Sequence, residues 1–470
     1  MFKYVSVFKN SMKILFVHPP YVESVYSEPP LGLVYIAAML EKDFEVKIFD
    51  CAVMGWGLKE YGEELKKFAP DIVGITATTP TVNVALSVAK LSKELLPNVK
   101  IVAGGPHVTL LAEDIMKESS YVDFAIMGEG EYAMRELAVA LRDKQPLTGI
   151  KGLIYRDNGK IINNGRTDLI QDLDALPFPA RHLLPMDRYS KFIGERKKYV
   201  TMMSARGCPY NCIFCAKSIF GRIYRERSVK NVIEEIEQAK KEFGIKEILF
   251  YDDSFTFNRK RVMELCDEMI KRRYKLRWNC KTRVNIVDEE LLKKMHEAGC
   301  YLISYGVESA VQKNLNFLRK GITPKQVEDA FKITKKAGIQ VEGYFVIGIP
   351  GETVGEIEET IKFAKKLEPD YAQFAILTPL PETDLYTYAV KHNLMRGDVD
   401  WSKFSYFGDR TAVTMDVGIP QEELIRLRNK AMHEVYMNPK YMLRKLLSVR
   451  SAGDVLNLMT GAKILLKWGS

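Results

Sequence analysis

The sequence lacks any apolar run of the roughly 18 residues that a bilayer-crossing helix needs, so such a helix is not expected. Cysteine is scarce. Seven in 470 residues, an odd number, do not suit a secreted disulfide framework and point to a reducing cytoplasm. Low-complexity tracts and simple short-period repeats are missing. A basic arm is missing too. The net charge of +9 is mild for this length, and nucleic acid is not an expected partner. The opening MFKYVSVFKNSMKILFVHPP has neither a long apolar core nor a small-residue cleavage site, so it does not read as a signal peptide. Met12 opens a strand, and residues 1–11 read as a dispensable extension. What is present, 47% hydrophobic and 27% charged residues, fits a globular protein of two or three domains.

Residues 12–145 alternate apolar strand patterns (KILFV, EVKIFD, IVGIT, VKIVAGG, FAIMG) with amphipathic helical ones. That alternation predicts a parallel sheet covered on both faces, a doubly wound α/β domain. Its strands end in clusters rich in Gly or Pro: His18-Pro19-Pro20, Gly104-Gly105-Pro106-His107 and Gly128-Glu129-Gly130-Glu131. In an open α/β sheet a ligand lies outside the carboxyl ends of the strands, so these clusters are expected on one rim. Residues 146–199 contain a hairpin signal around Arg156-Asp157-Asn158-Gly159 and the Pro-spaced LDALPFPARHLLP, and read as a connector that packs on the next domain. Residues 200–395 resume the β/α alternation with about six units, which predicts a partial (β/α)6 barrel of the TIM type with its site at the carboxyl ends of the strands. Residues 396–470 read as a helical region that turns basic near its end.

Three of the seven cysteines, Cys208, Cys212 and Cys215, fall within the nine residues GCPYNCIFC. Spacings of four and three let three thiolates converge on one loop. Structural zinc normally takes four protein ligands, and no partner CxxC or HxxxH follows. An iron–sulfur cube with one iron left open suits three thiolates, its fourth position filled from afar or by a small molecule. Cys51, Cys266, Cys280 and Cys300 are scattered and read as small buried hydrophobes, with Cys280 alone keeping some chance of facing the site.

The CxxxCxxC spacing, with Phe214 before the last cysteine, resembles the radical S-adenosylmethionine (SAM) superfamily. The resemblance implies a [4Fe-4S] cluster held by Cys208, Cys212 and Cys215, with SAM chelating the open iron and yielding a 5′-deoxyadenosyl radical on one-electron reduction. It also assigns SAM contacts, Phe214 among them. Asp253 ends the second barrel strand in YDDSF. Glu308 and Ser309 close GVES, Arg319 or Lys320 in LRKGIT would meet the SAM carboxylate, and Gly348 opens the adenine-side turn GIPGET. GIPGET lacks the GK[ST] ending of a phosphate-binding loop, which argues against an ATPase.

The first domain, through VHPPY, PPLGLVYIAAMLE, GGPHVT and GEGE, resembles the cobalamin-binding domain that precedes many radical SAM barrels. The resemblance covers about residues 12–395 and leans toward the group of the anaerobic magnesium-protoporphyrin cyclase. It implies cobalamin contacts at Pro20, Thr76, Thr78, Gly104, Gly105, His107, Gly128 and Glu129. The DxHxxG motif, whose His ligates cobalt from below, is absent, as is common in this branch. On a plainer view His107 caps a turn, and Glu129 and Glu131 cap the helix that follows.

The implied activity is a cobalamin-dependent radical C-methylation of an unactivated carbon, which requires the strand-end rim of the first domain to face the barrel mouth. Cyclisation, rearrangement or lipid-chain chemistry, with or without cobalamin, is the alternative, and a non-enzymatic iron–sulfur and corrin sensor is a further one. Expected partners are an external one-electron donor of flavodoxin or ferredoxin type and a substrate that is a small molecule, a lipid or a protein side chain. The chain end carries Lys440, Arg444, Lys445, Arg450, Lys463 and Lys467 among leucines. A basic amphipathic stretch leaves peripheral membrane contact open beside the cytoplasmic location.

Overall fold

The computed structural model describes residues 12–20, 28–190, 198–397, 399–404 and 414–447. The extension at residues 1–11 and the basic residues Arg450, Lys463 and Lys467 lie outside the described residues. The chain divides into two compact units. The first comprises Met1–Lys191, Ala216–Arg227 and Asp400–Ser405; the second comprises Phe192–Cys215, Ser228–Val399 and Tyr406–Ser470.

The first unit holds a seven-stranded sheet of β1 (Lys13–His18), β2 (Glu45–Asp50), β3 (Ile72–Thr76), β4 (Lys100–Gly104), β5 (Phe124–Ile126), β6 (Leu153–Asp157) and β7 (Lys160–Asn163). Its order is β2-β1-β3-β4-β5-β6-β7. The first five strands pair in parallel and the last two antiparallel. Both faces of β1 are covered, which is why KILFVH is almost wholly apolar. Leu15, Val17, Val73, Ile75 and Ile101 meet Tyr61, Leu65 and Val88 of the flanking helices in the core.

One boundary differs from the sequence expectation. The hairpin at 153–163 is not a connector packed on the next domain; β6 hydrogen-bonds to β5 and extends the first sheet. The free edge of β5 supplies the reason, since an unpaired edge recruits whatever strand follows it. Asn158 and Gly159 both adopt positive φ, the two-residue turn that joins twisted antiparallel strands.

The second unit is built on β8 (Tyr199–Met202), β9 (Glu247–Phe250), β10 (Arg277–Thr282), β11 (Cys300–Glu308), β12 (Gln340–Ile347) and β13 (Tyr371–Ile376). All six pair in parallel and in chain order. Helices Val229–Phe243, Arg259–Lys271, Glu289–Glu297, Pro324–Lys336 and Val354–Leu367 lie between them in sequence. β8 and β13 are both edges, so the sheet is an open arc, the partial (β/α)6 barrel expected. Helix Gln421–Tyr436 is tied to β13 by the Tyr436 hydroxyl, which donates to Ala372 O (2.8 Å) and accepts from Ala372 N (2.9 Å). In helix Pro439–Leu447, Arg444 donates to the carbonyls of Glu368 and Pro369, and Lys445 lies over the Tyr371 ring. No helix of the described residues is long and apolar enough to cross a membrane.

Candidate active site

The three-cysteine loop leaves β8 through Gly207, whose positive φ turns the chain. Cys215 N donates to Cys212 O, Ile213 N to Leu318 O (3.1 Å), and Leu385 N to Ile213 O (2.9 Å). Ile213 is buried among Leu318, Ile349, Leu377 and Leu385, and Phe214 packs half-buried on the same group. The loop is thus bolted to the barrel by its apolar residues while its cysteines are left accessible. Cys208 and Cys212 are partly exposed and Cys215 is exposed, whereas Cys51, Cys266, Cys280 and Cys300 are buried. Burial pushes the Cys51 thiol up to about 12 and raises Cys266 and Cys280 as well, so those thiols stay protonated. The Arg283 guanidinium stands 3.7 Å from Cys212 Sγ and 3.8 Å from the Tyr210 ring centre. Three accessible thiols on one braced loop, none in a disulfide, are a fitting donor set for three irons of a cube.

The expected SAM segments follow the next strands. After β9, Asp252 is buried and its carboxylate accepts from Ser204 N (2.6 Å) and Ser204 Oγ (2.5 Å). Burial raises its pKa against the pull of Arg261 and Ser204. Asp253, the expected contact, is exposed beside it. On either side of this pair the hydroxyls of Tyr251 and Ser254 are shielded from solvent and have no hydrogen-bond partner among the described residues. Buried hydroxyls without partners are costly, which suits a place where a polar ligand completes them.

At the end of β11 the register shifts between Gly306 and Glu308, and Glu308 adopts a φ of 67°. Its buried carboxylate accepts from Lys320 Nζ at 2.6 Å. Ser309 is buried and bonded to the Thr360 hydroxyl (3.2 Å). Arg319 is half-exposed and paired with Asp384 at 2.5 Å, so of the two LRKGIT cations Lys320 is the buried one. Gly348, with φ 77°, starts a turn clasped by Glu352: Gly348 N (2.8 Å) and Ile349 N (3.1 Å) donate to one carboxylate oxygen and Asn314 Nδ2 (3.1 Å) to the other. Burial pushes the Glu352 carboxyl up to about 7, against the pull of those amide donors.

In the first unit the strand order reverses at β1, which lies between β2 and β3, so the ligand crevice is expected outside the ends of β1 and β3. Pro20 follows β1 and Thr76 ends β3. Thr78 turns the chain there, its N–H donating to Thr81 Oγ1 at 2.9 Å. A side chain added at Gly104 would meet nothing within 4 Å, which is open space at the end of β4. Gly105 has φ 96°, and an added Cβ would fall 2.6 Å from Thr76 Oγ1. Gly128, also at positive φ, donates its N–H to Thr109 Oγ1 (3.1 Å). This glycine-lined rim fits the close approach of a flat macrocycle.

Two expected contacts are committed elsewhere. His107 is 1% exposed, its Nδ1 is 3.2 Å from Thr79 Oγ1, and the Trp401 ring packs edge-on against it at 5.2 Å. Burial depresses its pKa to about 4, so the ring is neutral. Glu129 occupies the helix N-cap position, but its side chain makes no capping hydrogen bond, contrary to the plainer expectation. Its carboxylate instead accepts from Ile170 N (2.7 Å) and Arg225 Nη1 (2.7 Å), a pair buried from solvent. A buried guanidinium outcompetes a cap because it would otherwise stand uncompensated. Sequence reasoning also missed a rim network: His18 Nδ1 lies 2.9 Å from Asp50 Oδ1, and the Tyr189 hydroxyl donates to Asp50 Oδ2 at 2.6 Å. His18 and Asp50 end adjacent parallel strands, a clue available once β1 and β2 are paired.

Comparison with known proteins agrees with this geometry. Residues 20–138 match the B12 binding domain and residues 202–364 the radical SAM superfamily. An uncharacterized methyltransferase of Pyrococcus horikoshii is 42% identical over 92% of this chain and 94% of its own length. An anaerobic magnesium-protoporphyrin IX monomethyl ester cyclase of Rubrivivax gelatinosus is 33% identical over 80% of this chain and 69% of its own length. Among solved structures, the radical SAM methyltransferase TsrM of Kitasatospora setae, with cobalamin and a [4Fe-4S] cluster bound, superposes with a TM-score of 0.71 at 18% identity, covering 92% of this chain and 90% of that one. The fold is therefore that of a cobalamin-dependent radical SAM enzyme, with a [4Fe-4S] cluster, SAM and cobalamin as its cofactors. The chain belongs to the radical SAM enzymes that carry an N-terminal B12 binding domain, and within them it is of the methyltransferase class.

Proposed function

We propose that the enzyme transfers a methyl group to an unactivated carbon of a small-molecule or protein-side-chain substrate. The observation that carries this reading is the presence, in one chain, of three accessible thiols on a braced barrel loop and a glycine-lined sheet rim that matches the B12 binding domain. When bound, SAM at the cluster supplies a hydrogen-abstracting radical and cobalamin supplies the methyl group. Cys208, Cys212 and Cys215 would hold the cluster, and SAM would complete it. The Tyr251 and Ser254 hydroxyls, Asp253, and the Glu308–Lys320 pair offer SAM polar partners at the strand ends, with Phe214 and Ser309 beside them. Glu352 keeps the Gly348 turn in shape for the adenine side. Pro20, Thr76, Thr78, Gly104, Gly105 and Gly128 let the corrin approach the backbone, while His107 and Glu129 stiffen the rim from behind.

The electron donor is of flavodoxin or ferredoxin type. For the C-terminal region, peripheral membrane contact is favoured by Met442, Leu443 and Leu446, which are exposed on helix Pro439–Leu447. Co-sedimentation with anionic vesicles tests it; a protein left wholly in the supernatant removes that part.

The deciding experiment is anaerobic. The cluster is reconstituted, hydroxocobalamin is added, and cobalt is counted after desalting. About one cobalt per chain, followed by label from methyl-labelled SAM in a carbon-bound product, is expected. The 33% identity to a cyclase gives a second reading, ring formation. Formation of 5′-deoxyadenosine and an altered substrate with no label in it would favour that reading and defeat methyl transfer.

A further inference from the structure

The stretch that follows the cluster loop carries a half-buried lysine whose ammonium nitrogen is shielded from solvent and has no acceptor among the described residues. Lys217 lies two residues after Cys215, within Ala216–Arg227, which belongs to the first unit. Its Nζ is shielded from solvent and has no hydrogen-bond partner among the described residues. The neighbouring cations are matched. Arg225 donates to Glu129 Oε2 (2.7 Å), Ile170 O (2.6 Å) and Phe220 O (3.2 Å), and Arg227 donates to the Tyr35 hydroxyl (3.4 Å). In the second unit Arg319 is matched by Asp384 and Lys320 by Glu308.

An ammonium withdrawn from water without a counter-charge is costly, and a protein tolerates it where an anion arrives. Its stretch is tied to the first unit by Arg225, which pairs with Glu129 in the turn after β5. The two small cofactors each bring one oxyanion: cobalamin the phosphodiester of its nucleotide tail, SAM its carboxylate. We propose that Lys217 binds an oxyanion of a resident cofactor, and that this is the cobalamin phosphodiester, since Lys217 packs with the unit that matches the B12 binding domain. The proposal rests on the cobalamin assignment made above.

The test uses full-length, cluster-reconstituted protein with Lys217→Met and Lys217→Arg. Hydroxocobalamin, a cobinamide that keeps the corrin but lacks the phosphodiester, and SAM are titrated separately, by absorbance and equilibrium dialysis. Lys217→Met is expected to weaken hydroxocobalamin about tenfold to a hundredfold, the value of one charge-assisted hydrogen bond, and to leave cobinamide unchanged. Lys217→Arg keeps most of the affinity and shows that the fold is intact. If only SAM weakens, the oxyanion is its carboxylate, and the phosphodiester assignment is overturned while the anion site stands. If neither cofactor weakens, the proposal falls. A wild-type protein that retains no cobalamin would strike the cofactor assignment instead, and the two failures are distinguishable.

Discussion

In the first unit the polar side chains at the strand ends find partners inside the protein. His107 is taken by Thr79 under Trp401, Glu129 by Arg225, and Asp50 by His18 and Tyr189. In the second unit the corresponding rim keeps the Tyr251 and Ser254 hydroxyls without a hydrogen-bond partner among the described residues, beside three accessible thiols. The difference reflects what each rim must hold. A large, mostly neutral macrocycle needs room and backbone, so glycines open the way and side chains brace it. A cluster and a small zwitterion need named donors and acceptors, so side chains at the strand ends are left waiting for them; in the first unit the one waiting group argued above, Lys217, lies off the strand ends, on the stretch Ala216–Arg227.

That contrast can be broken most severely at the thiols. Replacing Cys208, Cys212 and Cys215 together by Ala should remove all cluster iron and all SAM cleavage while cobalamin binding persists; iron analysis and hydroxocobalamin titration check both halves. Next comes the brace of the first rim. Glu129→Gln leaves Arg225 buried without a counter-charge and should cost about 3–5 kcal/mol, read by urea unfolding of the first unit. A Glu129 variant of unchanged stability that loses cobalamin would return this residue to the role of a direct contact.

The glycines give a smaller and more discriminating pair. Gly105→Ala places a Cβ against Thr76 at a strained φ and should cost about 1–3 kcal/mol. Gly104→Ala meets open space, so melting should not change while cobalamin retention falls. Equal melting losses in both would mean that the space beyond β4 is not kept for a ligand.

The gentlest probe is pH. His107 is held neutral, with its pKa depressed from 6.5 to about 4, so the folded state binds fewer protons than the unfolded one across that window. The first unit should therefore lose stability as pH falls from about 6.5 to about 4. Glu352 is raised from 4.5 to about 7, so the second unit should lose stability as pH rises through that range. Calorimetry should show opposite slopes, flattened in turn by His107→Gln and Glu352→Gln.

The barrel and its cluster loop were legible because their signals are local: strand and helix periods, and three cysteines within nine residues. Asp253, Glu308 and Gly348 do fall at strand ends for the same reason. The first rim was read less well. Glu129 and His107 looked like ligands or caps because their partners, Arg225 and Trp401, lie 96 and 294 residues away in sequence, and no periodicity announces such pairings. The hairpin at 153–163 was read as a hairpin, but its attachment to β5 depends on which edge stands open in the assembled sheet. Lys217 carried no sequence signal at all; only its shielded Nζ, without an acceptor among the described residues, singles it out.

The first unit is stitched from three stretches of chain, the last of them Asp400–Ser405. Its parts therefore leave the ribosome far apart in time. The β-sheet can form early, but the residues that cover His107 are made only after almost the whole barrel has been synthesised. At about 5–20 residues per second, that is a wait of some tens of seconds. During it the rim stands uncovered, so newly made chains should depend on chaperones until Trp401 arrives. A gene fragment cut after residue 191 would carry that incompleteness permanently.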